Sequence, residues 1–90
     1  MRRDDTNRGD AEALALSALS WTLGEESRAQ RLLAITGLTP ANLRERLAEP
    51  GLLAATLGFL EAHEPDLLAA ADALGVTPET LVEARRRLEP

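Results

Sequence analysis

Two segments of this chain, 38 residues apart, carry the same punctuation. They are Gly37-Leu38-Thr39-Pro40-Ala41-Asn42-Leu43 and Gly75-Val76-Thr77-Pro78-Glu79-Thr80-Leu81. A glycine just past a helix supplies the left-handed backbone that stops it, and threonine followed by proline caps and opens the next helix. Each segment therefore reads as a corner between two helices. The same offset aligns Leu14 with Leu52, Leu19 with Leu57, Trp21 with Phe59 and Glu26 with Glu64. Of the 32 positions from Leu14 to Glu45, 8 are identical to their partners. A period of this size is the mark of a repeated helical unit. The reading is all-α: a compact bundle of five to six short helices, built as two repeated three-helix units. The alternative is that one stop-and-start grammar was used twice on unrelated helices.

Composition agrees with helix. Leucine (18) and alanine (16) fill 34 of the 90 positions, whereas valine and isoleucine total three. Leucine and alanine are strong helix formers, and strands favour the β-branched residues that are scarce here. Setting Ala and Met aside, 23 apolar residues remain. At roughly 1.5–3 kcal/mol for each one buried, they offset the ordering of a single domain of this length.

The helices can be placed one by one. Residues 1–9 read as a disordered tail, with Asp10 as the N-cap of a domain spanning 10–90. From Ala11 to Leu23, Leu16, Leu19 and Leu23 form a stripe, with Leu14, Ala18 and Trp21 beside it. Ser27 and Gln30 have capping-box spacing, which predicts a second helix to about Thr36. Thr39-Pro40 opens a third through about Ala48. Pro50 opens a fourth, with Leu53, Leu57 and Leu60 on one face and Leu52, Thr56 and Phe59 alongside. Pro65 opens a fifth to Leu74, and Thr77-Pro78 a sixth to Leu88. The core is expected to be mostly leucine. Trp21 and Phe59 are its only large rigid shapes.

Chemistry is hard to find in this alphabet. With no cysteine there is no disulfide, thiolate nucleophile or thiolate zinc site. His63 is the only histidine, and it has no second histidine one turn on, as a zinc-binding helix would require. Glu61, His63, Glu64 and Asp66 are close enough in sequence to gather around a metal, but on a proline-broken turn they read as solvated loop residues. Carboxylate pairs (Asp4-Asp5, Glu25-Glu26) fall in tails and turns, where nothing desolvates them for acid–base work. The six glycines are dispersed and form no phosphate-binding loop. The expectation is a protein without catalytic residues, cofactor or metal. The polar N-terminus and the short longest apolar run, Leu67 to Ala71, predict neither a signal peptide nor a membrane span, hence a cytoplasmic protein.

Net charge is −5, and it is polarised. No arginine or lysine lies between Arg46 and Arg85, while Glu49, Glu61, Glu64, Asp66, Asp72, Glu79 and Glu83 all do. Such a stretch repels polyanions and suits a basic partner surface. The expected function is a non-enzymatic protein–protein interaction module. The alternative is a DNA-binding helix-turn-helix over Ala71-x-x-Leu74-Gly75-Val76-Thr77-x-x-x-Leu81-x-x-Ala84, with Arg85, Arg86 and Arg87 on phosphates. Against it, Glu79 and Glu83 would face the groove. Arg85, Arg86 and Arg87 are also explained by the helix dipole, which favours cations at a C-terminus by about 0.3–1 kcal/mol each, and by pairing with Glu83 or Glu89. A small-ligand carrier has only composition in its favour. No heptad seam is sustained, which disfavours a long coiled coil and leaves the oligomeric state open.

Three runs carry a resemblance: Ala11–Leu23 with Trp21, Arg31 to Arg44 through Gly37-Leu38-Thr39-Pro40, and Leu52–Leu60 with Phe59. Over residues 11–88 the chain resembles a small bacterial helical family, domain of unknown function number 3572. The resemblance implies a short cytosolic helical protein and carries over no catalytic or binding residue.

Overall fold

The two Gly-x-Thr-Pro corners form as their chemistry requires. In the computed structural model, which describes the backbone of residues 3–89 and the side chains of residues 9–89, Gly37 and Gly75 are the two residues with positive φ, at 73° and 70°. Thr39 and Thr77 then cap the next helices, their hydroxyls accepting from the amides of Asn42 (3.1 Å) and Thr80 (3.2 Å). Six helices result among the described residues: α1 (Arg3–Leu23), α2 (Glu26–Thr36), α3 (Pro40–Glu45), α4 (Pro50–Glu61), α5 (Glu64–Leu74) and α6 (Pro78–Leu88). This is an all-α bundle, and its radius of gyration, 12.4 Å, is near the ~12 Å of a compact chain this long.

The 38-residue offset holds in three dimensions. Helices α1 and α4 end at Leu23 and Glu61; α2 and α5 begin at Glu26 and Glu64 and end at Thr36 and Leu74. Burial follows the same register. Ala15 and Leu53, Ala18 and Thr56, Leu19 and Leu57, Thr22 and Leu60, Leu32 and Ala70, and Leu43 and Leu81 are all buried in pairs. The two units share these inward-facing positions, and in four of the six pairs the side chains differ.

The layers are set by which helices meet. α1 and α4 lie against each other and α6 packs across both; α5 packs on α4, α1 and α6, and α2 on α1 and α4. α3 has no comparably close partner, and Leu43 is its single buried residue. The reason is in the register. The buried stripe of α6 is Leu81, Ala84 and Leu88, and the positions 38 residues earlier hold Leu43 of α3, Arg46 just past its end and Pro50, which opens α4. An arginine and a proline remove the lower two-thirds of the stripe. Glu49, before Pro50, takes extended backbone (φ −75°, ψ 124°), as residues preceding proline do.

Several helix boundaries and faces differ from the sequence reading. Residues 3–9 are helical rather than a tail, because extending an existing helix needs no new nucleus and Gly9 opposes it by only about 1 kcal/mol; residues 1 and 2 lie outside the described residues. Asp10 is accordingly interior to α1, not its cap. α2 begins at Glu26 with Glu25 in the cap position, so Ser27 makes no capping box, and Gln30 donates instead to Glu26 (3.2 Å). α3 stops at Glu45, short of Ala48. The inward face of α1 is also not the leucine stripe. Ala11, Ala15, Ala18, Leu19 and Thr22 are buried, while Leu16 and Leu23 are 42% and 38% exposed. Small side chains at i, i+4 and i+7 let two neighbouring helices approach α1 closely, which a row of leucines would prevent. Seven alanines therefore stand beside nine leucines and Phe59 in the core. The hydroxyls of Thr22 and Thr56, buried within it, donate to the carbonyls of Ala18 (2.8 Å) and Leu52 (3.0 Å).

Candidate functional site

Where α6 crosses α1, the two helices and α5 enclose a cleft of about 710 Å³. Its walls are apolar: Ala11 and Leu14 from α1, Leu67 from α5, Val82 and Ala84 from α6. The rim holds three carboxylates, Asp10, Glu79 and Glu83, against two guanidiniums, Arg86 and Arg87. Both arginines are drawn to one acid, Arg87 at 3.3 Å and Arg86 at 3.9 Å from Glu83. The site is thus an apolar trough with an acidic excess at its edge.

The arginine cluster at the end of α6 divides its work. Arg85 is turned inward, bonded to Glu61 of α4 and to Glu89 just past the end of α6, and its side chain is 23% exposed. It ties α6 to α4. The hydrogen bond that Arg85 donates to the Glu61 carboxylate holds its guanidinium above its ordinary pKa despite partial desolvation. Arg86 and Arg87 lie outward, with side chains 67% and 40% exposed. The expected pairing with Glu83 and Glu89 is what the geometry has, with Glu61 added.

The acids around His63 do not assemble as a ligand set. Glu61 points to Arg85. Asp66 accepts from Arg31 of α2 at 2.8 Å and lies 3.0 Å from His63 Nδ1, so a guanidinium stands beside the carboxylate where a metal would have to bind. No group of three metal-ligating side chains occurs among the described residues. Asp66 is also not a solvated loop residue: its side chain is 13% exposed. Burial pushes its carboxyl upward in pKa, but the hydrogen bonds from Arg31 and His63 outweigh that and hold it below the usual carboxylate range.

The two aromatic residues occupy matching places with unequal burial. Phe59 is 5% exposed; Trp21 is half-buried at the edge of the core rather than inside it. Arg28 covers the indole, its guanidinium carbon 3.7 Å from the ring centroid. The same side chain donates to the Trp21 carbonyl (2.7 Å) and to Glu25 (2.6 Å), which closes the α1–α2 corner. Its Nε is buried and donates to no oxygen. Sequence spacing contained no signal for this cap, because it depends on how the corner folds back.

No helix among the described residues is long and apolar enough to cross a membrane. Among known proteins, the family described as protein of unknown function DUF3572 matches residues 8–90. No curated protein and no solved structure matches the chain.

Proposed function

We propose that this chain, which belongs to the DUF3572 family, is a non-enzymatic interaction module that binds a protein partner through the cleft between α1, α5 and α6. The observation that carries this reading is the combination of apolar walls with an acidic excess at the rim. The partner it fits is an amphipathic helical segment whose flanks carry lysine or arginine. Burial of the apolar face gives affinity, and the rim charges steer encounter and fix orientation. The predicted setting is the bacterial cytoplasm.

The test is capture of interacting molecules on the immobilised protein at low salt, in parallel with a Val82→Glu variant that places a charge in the trough. Mass spectrometry of everything retained distinguishes protein, nucleic acid and small ligand. A stoichiometric protein retained by the parent chain and lost from the variant supports the reading. Equal retention by both, or retention of nothing, sinks it.

A second reading, DNA binding, has one observation in its favour: α5 and α6 meet across a glycine turn with Arg86 and Arg87 exposed at the far end. Glu79 and Glu83 on the same helix oppose the phosphate contacts that supply most non-specific affinity. Anisotropy titration with duplex DNA at low ionic strength is expected to show no salt-sensitive binding.

A further inference from the structure

Helices α2 and α3 are held to the rest of the molecule more lightly than their counterparts α5 and α6. Of residues 26–50, Leu32 and Leu43 alone are buried; of residues 64–88, Ala70, Ala71, Leu81, Ala84 and Leu88 are. α2 rests on α1 and α4, and α3 has no comparably close partner. Ile35, in the last turn of α2, is 70% exposed, the most of any large apolar side chain among the described residues.

The polar ties are as few. Arg28 pairs with Glu25 and Arg46 with Glu49, each three residues away. Among the described residues, Arg31 makes the one ion pair that runs from this segment to a helix distant in sequence. Its guanidinium donates to Asp66 of α5 at 2.8 Å and lies 5.5 Å from the centre of the Phe59 ring on α4. A cleft of about 410 Å³ already parts the segment from α4, with Ile35 and Leu38 on one wall and Leu52 and Phe59 on the other.

Both ends of the segment are extended. Glu25 (φ −126°, ψ 129°) follows Gly24, and Glu49 (φ −75°, ψ 124°) precedes Pro50. Rotation at these two places swings α2 and α3 without breaking a backbone hydrogen bond inside any helix. Elements with few buried apolar contacts open first and as cooperative units, at a cost set by the contacts they alone lose. We propose that α2 and α3 form a lid that opens as one unit about Glu25 and Glu49 while α1, α4, α5 and α6 stay folded, with the Arg31–Asp66 pair as its latch. Opening withdraws Arg31 from Phe59 and Arg28 from Trp21, so both aromatic residues are uncovered together. No residue lining the α1–α5–α6 cleft belongs to the lid, and the two are independent of each other.

Native-state hydrogen exchange of the full chain, followed by NMR in urea below the unfolding transition, tests the lid. The amides of α2 and α3 are expected to exchange as one group, at least about tenfold faster than the most protected amides of α4 to α6. Their urea dependence should be shallower, because opening exposes less surface than unfolding. Asp66→Asn should speed exchange of the α2–α3 group about fivefold. Ala84→Gly, which weakens α6, should speed the slow amides of α4 to α6 and leave the α2–α3 group unchanged. Amides of α2 that exchange together with those of α4 to α6 overturn the lid, and so does Ala84→Gly speeding both groups equally. Exchange of the α2–α3 group that is unmoved by Asp66→Asn overturns the latch.

Discussion

Helices α3 and α6 begin alike and end unalike. Both open on a threonine cap and a proline, and both bury a leucine four residues after the cap, Leu43 in one and Leu81 in the other. Past that point α6 continues with Ala84 and Leu88 and packs across α1 and α4, whereas α3 meets Arg46 and Pro50 and ends. At the matched register, the third helices of the two units thus part in their final turns. In the first copy that turn leads into α4; in the second it covers the core.

That asymmetry can be tested at matched positions. The largest difference is expected between the aromatics. Phe59→Ala should destabilise by about 4 kcal/mol, the range for a fully buried ring, and Trp21→Ala by about 2 kcal/mol, since the indole lies at the edge under Arg28. Equal shifts in urea midpoint would show that Trp21 is as deeply packed as Phe59. Next come the leucines. Leu81→Ala, on the helix that spans two others, should lower stability by about 3 kcal/mol, and Leu43→Ala by no more than about 2 kcal/mol. If Leu43→Ala proved the more damaging, α3 would be the better-anchored third helix and the specialisation would run the other way.

The smallest effect concerns charge. Residue 28 is arginine in the first unit, and its counterpart in the second is Asp66, which pairs with Arg31 and His63. Because the Asp66 carboxyl is held below its unfolded pKa, its contribution is present above an ordinary carboxylate pKa of about 4 and is lost as pH falls through the lower folded value. Asp66→Asn should therefore lower stability by about 1 kcal/mol near neutrality, with parent and variant converging in strong acid. A constant difference across that range would assign the effect to packing instead.

How much of this was legible depends on which residues carried it. The boundaries of α6 could be read from Thr77, Pro78 and Leu88, because caps and prolines act locally. The truncation of α3 had its signal in Arg46 and Pro50, but it shows only when both are compared with Ala84 and Leu88 at the 38-residue offset. The alanine face of α1 was not legible. Alanine suits a core and a surface almost equally, and only the close approach of α4 and α6 decides between them. The cleft between α1, α5 and α6 was equally out of reach, since its walls come from residues as distant as Ala11 and Val82. Asp66 read as solvated because its partner, Arg31, lies 35 residues away.

The edge position of Trp21 has a practical consequence for anyone following this molecule in solution. It is the only tryptophan, and there is no tyrosine. Near-ultraviolet absorbance and intrinsic emission therefore come almost entirely from one indole beneath one guanidinium, at the corner between the first two helices. An optical transition recorded this way tracks the opening of that corner. Agreement with far-ultraviolet ellipticity would show the whole bundle melting as one unit, and a fluorescence change at lower denaturant would show the corner fraying first.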